Sequence, residues 1–402
     1  MSILGIIVEY NPLHNGHIYH INSAKNISKC DEVVAVMSGN FVQRGEPAII
    51  NKWERTKMAL MSGVDLVIEL PVIYSTSTAE NFAYGAIKLL DSLKIIDYIC
   101  FGTEKGDLHE IYKIAEILKN EPSLYKKYLK EFLNTGLTFA LAREQAIKKF
   151  TNNDMSNILQ TSNNILAIEY VKSLLKLNSN IKPLTIKRIG NMYNSLEIKG
   201  NFISASSARK QIYENNINNI QKYIPDYSYD ILTEAIKNGI CPVSFEDFSN
   251  IIFYKLRKKT NLKNIFDVSE GLENKIYNSA NLTNNFNYLV ELIKSKRYTK
   301  SRIRRILTHT LLEIKNEMYQ KFDGPNYIRV LGFNNKGLKI LNSLKKKSSL
   351  PIITKVSNYK KILDNYEMFE KDLFATDIYT LAYKNSELSR GNLDFTHPII
   401  KI

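Results

Sequence analysis

Three of the chain's six histidines fall within seven residues, His14, His17 and His20. They lie in Ile7-Val8-Glu9-Tyr10-Asn11-Pro12-Leu13-His14-Asn15-Gly16-His17-Ile18-Tyr19-His20. An imidazole can bind a metal, move a proton or donate an N–H to an anion. The setting favours the last. A strand-like run, Ile3 to Val8, precedes the cluster, and a helix-compatible stretch follows to about Ser28. The unpaired N–H groups and positive dipole end of a helix N-terminus attract phosphate, the dipole contributing about 0.3–1 kcal/mol. Gly16 has no Cβ, so a ligand can approach the backbone closely. His14 and His17 would then aim donors at charge developing on a phosphate in the transition state. Zinc is an alternative, because residues three apart share a helical face. Yet no Cys or Glu stands at a matching second spacing, and Pro12 and Gly16 mark a turn. Chance clustering of surface histidines is the other alternative. His20 lies a helical turn further on and reads as structural.

A second candidate is Ile203-Ser204-Ala205-Ser206-Ser207-Ala208-Arg209. Hydroxyls at a helix start either cap it or hold phosphate oxygens. Arg209 adds a planar, permanent cation suited to phosphate. A third is the glycine-bounded segment Ser38 to Gly45, where Arg44 is suited to a small carboxylate, a phosphate or a polyanion. Glu46 follows it, and a plain Arg44–Glu46 ion pair is the structural alternative. The fourth is Lys294 to Arg305, with seven basic residues in twelve and no acidic one. A solvated helix face would mix signs. The run reads as an RNA-backbone surface built from Lys296, Arg297, Lys300, Arg302, Arg304 and Arg305, with Tyr298 as a stacking ring. A plain surface helix remains open.

These groups need a scaffold. Apolar runs at 3–8, 33–37, 64–68 and 96–101 alternate with helix-compatible stretches at about 17–28, 51–62 and 79–93. That pattern predicts an α/β fold with a parallel, Rossmann-like sheet covered on both faces. Ligands of such sheets bind beyond the strands' C-terminal ends, at a topological switch point. Each candidate segment follows a strand. Residues 108–177 read as helical, Pro183–Ile189 as a strand and 228–322 as helical. Tyr327–Leu331, Lys336–Lys346 and Pro351–Val356 read as strand, helix and strand. Pro225-Asp226 and Asp323-Gly324-Pro325 suggest boundaries: a catalytic domain over 1–225, a basic helical region over 226–325 and a small α/β segment over 326–402.

The chain has 402 residues and a net charge of +15. Residues 1–225 carry an excess of +5 and residues 226–402 one of +10, which favours a polyanionic partner. A Lys- and Asn-rich genome bias is the bland explanation. Cys30, Cys100 and Cys241 make neither a metal-ligand spacing nor a disulfide framework. No signal peptide and no apolar run of roughly 18 residues is visible, so a cytoplasmic protein with no membrane partner is expected.

The His-x-Gly-His string and the later Ile203-Ser204 to Arg209 segment resemble the nucleotidyltransferase superfamily, which includes class I aminoacyl-tRNA synthetases. Its two motifs grip the phosphates of ATP. Ala205 and Ser206 replace the commoner Ser and Thr, and hydroxyls remain at Ser204, Ser206 and Ser207. Longer strings resemble the bacterial tRNA(Met) cytidine acetate ligase family across nearly the whole chain. They are Gly5 to Pro12, Met37 to Ala48, Lys52 to Leu60, Gly63 to Pro71, Asn163 to Leu166 and Lys296 to Thr299. The resemblance implies activation of acetate by ATP, then acetyl transfer to N4 of the wobble cytidine of elongator tRNA(Met). It also implies an ATP site over Ile7 to His20 with Gly102, one of Asn163 and Asn164, and Arg188, joined by Ser204, Ser206 and Arg209. Mg²⁺ is expected on the phosphates, although no carboxylate cluster marks a cage. Adenylyl transfer to a small phosphorylated acceptor would use the same motifs but leaves residues 226–402 and their charge unexplained. A non-catalytic RNA-binding protein would have no use for intact His14, Gly16, His17 and Arg209.

Overall fold

The structure, a computed structural model, describes residues 2–104, 107–152, 155–187, 202–269 and 271–402. The apolar runs are strands β1 (Ile3–Val8), β2 (Glu32–Ser38), β3 (Leu66–Leu70) and β4 (Tyr98–Thr103). The third begins two residues into its apolar run. Asp65 instead bonds the edge of β2, its carboxylate accepting the Val33 N–H at 2.8 Å. Helices α1 (Asn15–Ser28), α2 (Lys52–Met61) and α3 (Ala79–Ser92) connect the strands. Side-chain caps set their starts. Asn51 accepts from Trp53 and Glu54, and Thr78 accepts from Asn81. Three helices over residues 108–151 follow, then α4 (Ser162–Lys176), β5 (Lys182–Lys187) and α5 (Ala205–Tyr213).

β1 to β5 are mutually parallel, in the order β5-β4-β1-β2-β3. The chain winds outward from β1 through β2 to β3, then returns to lay β4 and β5 on the other side. The switch point therefore lies between β1 and β4. Alternate residues of β2 enter opposite cores: Val34 and Val36 face one, Val33, Ala35 and Met37 the other. A strand buried on both faces is why the runs were continuously apolar.

The tail completes this same sheet. β6 (Ile328–Phe333) pairs antiparallel with β3, and β7 (Ile352–Ile353) and β8 (Ile400–Lys401) pair with β6. A buried charge network crosses the junction. Lys52 Nζ lies 3.0 Å from Glu69 and 2.9 Å from Asp394, and Arg329 lies 3.2 Å from Glu69 and 2.6 Å from Asp394. Two cations and two carboxylates balance, which is what makes their burial tolerable.

The basic run opens α6 (Lys300–Leu312), which packs against the segments that follow β2 and β3. His309 in α6 is fully buried, its Nε2 2.9 Å from the carbonyl oxygen of Thr76 and 3.1 Å from its hydroxyl. Burial, helped by the nearby Arg305 cation, pushes its pKa down from 6.5 to about 3. The unfolded chain thus takes up a proton that the folded chain refuses. Stability is full above about pH 6.5 and is lost towards pH 3, by up to about 1.4 kcal/mol per pH unit. His309→Gln keeps an amide donor for Thr76. It should shrink the stability lost between pH 7 and 4.5 by about 2–3 kcal/mol, measured by chemical denaturation. An unchanged loss would place the acid sensitivity elsewhere.

Candidate nucleotide-binding and active site

A cavity of about 250 Å³ opens at the switch point, lined by the ends of β1 and β4, the first turns of α1 and α5, the loop after β2, and α4. His14 is the N-cap of α1, with extended backbone (φ −141°, ψ 169°). Its Nδ1 accepts the Gly16 N–H at 3.1 Å, and the Nδ1 of His17 accepts the His14 N–H at 3.2 Å. This is a capping box made from two imidazoles. With each Nδ1 an acceptor, the neutral rings carry their proton on Nε2. The rings stack, 3.7 Å between centroids and 22° apart. A Cβ on Gly16 would sit 2.9 Å from the His14 ring, so that position has no room for a side chain.

Of the run Ile7 to His20, ten residues line the cavity, His20 among them. Pro12, Leu13, Asn15 and Ile18 do not. Leu13 is buried in the core with Ile18 packed against it, and Asn15 donates to the Lys222 carbonyl at 3.1 Å. Gly102 and Asn163 also reach the cavity. Asn164 is fully buried beneath it and accepts the Glu104 N–H at 3.0 Å, while Asn163 donates to the Glu104 carboxylate at 2.7 Å. Of the asparagine pair, Asn163 is therefore the one placed at the cavity. Arg188 lies outside the described residues.

Ser204 caps α5, its hydroxyl accepting the Ser207 N–H at 3.0 Å. Ser206 and Arg209 face the cavity, 3.4 Å apart. Arg209 donates to the Asn11 carbonyl at 2.8 Å and so ties the second motif to the first. Its other amine meets Glu46 at 3.4 Å, and Arg304 of α6 contacts the other oxygen of that carboxylate. The ion pairs of Glu46 thus run to Arg209 and Arg304, in place of the Arg44–Glu46 pair that sequence proximity suggests.

No residue pattern marks Arg55, and Glu9 enters the expected ATP site only as part of the Ile7 to His20 run that the resemblance implies. Arg55 is fully buried in α2 and donates to the carbonyls of Ile50 (3.1 Å), Glu9 (2.8 Å), Ser38 (2.9 Å) and Gly39. Burial pulls its pKa down to about 10, so it stays charged at neutral pH. Next to the gripped Glu9 carbonyl, Tyr10 adopts a left-handed backbone (φ 47°), a conformation costing about 1–3 kcal/mol. Its ring meets His17 edge-on at 5.0 Å. The Glu9 carboxyl lines the cavity and accepts the Gln43 N–H at 2.7 Å. Burial pushes its pKa up, against the pull of the Gln43 N–H and of Arg209, Arg55 and Arg44. Among the described residues, no group of three or more His, Cys, Asp or Glu is placed to hold a metal ion.

The basic run divides. Arg302 lies 3.1 Å from the Asp267 carboxylate and donates to its carbonyl at 2.9 Å, and Arg305 meets the same carboxylate at 3.4 Å. Arg304 turns to Glu46. Tyr298 is buried, with the Arg302 guanidinium 5.3 Å above its ring, so it offers no free stacking face. The run therefore does not form one uniformly exposed basic face. Its arginines are drawn inward by carboxylates distant in sequence, which no local pattern signals. Lys296, Arg297 and Lys300 are exposed, and Lys300 pairs with Glu291.

A family described as HIGH Nucleotidyl Transferase matches residues 1–394. The tRNA(Met) cytidine acetate ligase of Thermoanaerobacter sp. (strain X514) is 64% identical over the full length of both chains. That of Clostridium acetobutylicum is 47% identical over 96% of each. Thermotoga maritima TmcAL bound with alpha-thio ATP superposes with a TM-score of 0.94 at 37% identity, covering 100% of this chain and 99% of that one. The matched span takes in both phosphate-site motifs and most of the tail that completes the sheet, so this chain belongs to the HIGH nucleotidyl transferase family.

Proposed function

We propose that the protein is an ATP-dependent ligase that makes acetyl-adenylate from acetate and ATP and then acetylates N4 of the wobble cytidine of elongator tRNA(Met). The observation that carries this reading is the pair His14 and His17 at a helix N-terminus, tied by Arg209 to the second motif, in a chain that is alike over its full length to ligases of that name. An acetate oxygen attacks the α-phosphorus, and the bond to pyrophosphate breaks. The α1 N-terminus, the two imidazoles and Arg209 stabilise the negative charge that grows on the phosphate oxygens. The cytidine amine then attacks the acetyl carbon, AMP leaves, and the amine loses a proton. Holding the weakly nucleophilic amine against the mixed anhydride supplies much of the second rate.

Mg²⁺ fits as an ion carried on the triphosphate. The carboxyls beside the cavity, Glu9 and Glu46, are held by a backbone N–H and by arginines, so phosphate oxygens and water would be its donors. When bound, it would offset phosphate charge. In this reading residues 1–225 do the chemistry, the 226–325 region and its exposed cations receive the RNA, and residues 326–402 buttress the sheet. No helix among the described residues is long and apolar enough to cross a membrane, in keeping with a cytoplasmic enzyme.

The deciding assay is ATP–pyrophosphate exchange, which should depend on acetate. Exchange without acetate, or none, would overturn the proposal. His17→Ala should cut exchange by about 10²-fold or more, with tRNA affinity within a few-fold of wild type. Gly16→Ala, which pushes on the His14 ring, should cut it about tenfold with an unchanged melting temperature. On the RNA side, neutralising Lys296, Arg297 and Lys300 should flatten the salt dependence of tRNA binding by roughly 0.7–0.9 log unit per lost phosphate contact. An unchanged slope would remove that face from the interface.

A further inference from the structure

Glu46 sits where the two halves of the proposed reaction meet. One carboxylate oxygen faces Arg209, which lines the cavity; the other faces Arg304, on the helix that opens with the basic run. The side chains are 15% (Arg209), 17% (Glu46) and 29% (Arg304) exposed, so the triad is screened but within reach of ligands from both sides. The mount is rigid. Gly45, at φ +73°, lies against the α6 backbone so closely that a Cβ would come within 2.6 Å of Arg305 N and Cα. The Thr308 hydroxyl donates to the Gly45 carbonyl. The loop after β2 and the first turns of α6 therefore move as one piece.

We infer that Glu46 is a positioning residue that sets nucleotide and tRNA against each other. This rests on the proposal that phosphates of ATP take Arg209 and that the 226–325 region, to which α6 belongs, receives the RNA. A triphosphate drawing Arg209 towards itself leaves Glu46 with a single cation, Arg304. The Glu46–Arg304 pair then tightens, and Arg304 is withheld from an RNA phosphate. In the other direction, tRNA that takes Arg304 leaves Glu46 to hold Arg209 away from the nucleotide. A shared carboxylate thus makes the two ligands antagonists, and linkage requires the same factor in both directions. The consequence is an order of events: RNA binds tightly only once the triphosphate has been consumed and pyrophosphate has left.

The test is a linkage measurement on the full-length protein. The Kd of elongator tRNA(Met) is measured by fluorescence anisotropy, at fixed salt, with and without saturating α,β-methylene-ATP. The Kd of the analogue is then measured with and without saturating tRNA. In the wild type, each ligand should weaken the other at least threefold, by equal factors. In Glu46→Gln, which keeps the shape and removes the charge, the factor should fall to near one. Arg304→Gln should do the same, and it serves if the first variant does not fold. Simple repulsion between two polyanions would survive both substitutions, so an unchanged factor in either folded variant overturns the inference, as does a wild-type factor of one. If tRNA does not bind at all, the proposed function fails with it; tRNA binding without coupling sinks this inference alone.

Discussion

The geometry of the site depends on one buried guanidinium. Arg55 reaches from α2 into the gap between the ends of β1 and β2 and donates to four carbonyls. These belong to the end of β2 and to the loops that follow β1 and β2. Loop carbonyls buried without partners would each cost about 1–3 kcal/mol. A lysine could not replace the residue, because a point charge cannot serve four acceptors fixed in different directions. The strained backbone of Tyr10 is affordable only beside such an anchor, and it is this turn that delivers His14 to the cap of α1. The loop is gripped again at Asn11, whose carbonyl accepts from Arg209 and whose side chain accepts the Ile49 N–H at 2.8 Å.

A consequence is that positive charge comes before the ligand. Arg55 and Arg209 are fixed by carbonyls, not by a nucleotide, so the field at the cavity exists in the empty protein. Such preorganisation matters because an enzyme that must reorient donors as charge develops loses part of their effect. The acidic side chains temper that field in two ways. The Glu9 carboxylate is held by the Gln43 N–H and lies in the field of Arg209, Arg55 and Arg44. Glu46 is shared between two arginines. The cavity can therefore attract a polyanion while its Arg209 cation is compensated by Glu46.

The parts of the site legible in the sequence were those with local causes. A strand, a turn with Asn-Pro and a glycine, and a helix start are encoded within about fifteen residues, so His14, Gly16 and His17 could be placed at the helix start beside the cavity. The Ser204 to Arg209 helix start was legible for the same reason. Side chains whose partners lie far along the chain were not. An arginine in an amphipathic helix reads as exposed, yet Arg55 is buried by loops from two other strands. Likewise the cations at 302, 304 and 305 look like a surface run until Asp267 and Glu46 are placed beside them. In the fold, the parallel core followed from its apolar runs. The antiparallel addition of β6 did not, because its apolar pattern is the same whether it builds a separate sheet or extends an existing one.

That addition bears on the site more than its distance suggests. Lys52 is the first residue of α2, one helical turn before Arg55. Its ammonium is held by Glu69 of β3 and by Asp394, while Arg329 of β6 holds the same two carboxylates. Removing β6 or the segment around Asp394 would leave Lys52 and Glu69 as a less compensated buried pair, a change of about 3–5 kcal/mol when a single partner is lost. The start of α2 would then relax towards solvent, carrying Arg55 with it, and the two loops would lose their common donor. The tail is thus mechanically continuous with the phosphate site through four charges and one helical turn. This continuity gives a physical reason why the family match runs to residue 394, far past the last nucleotide-binding motif.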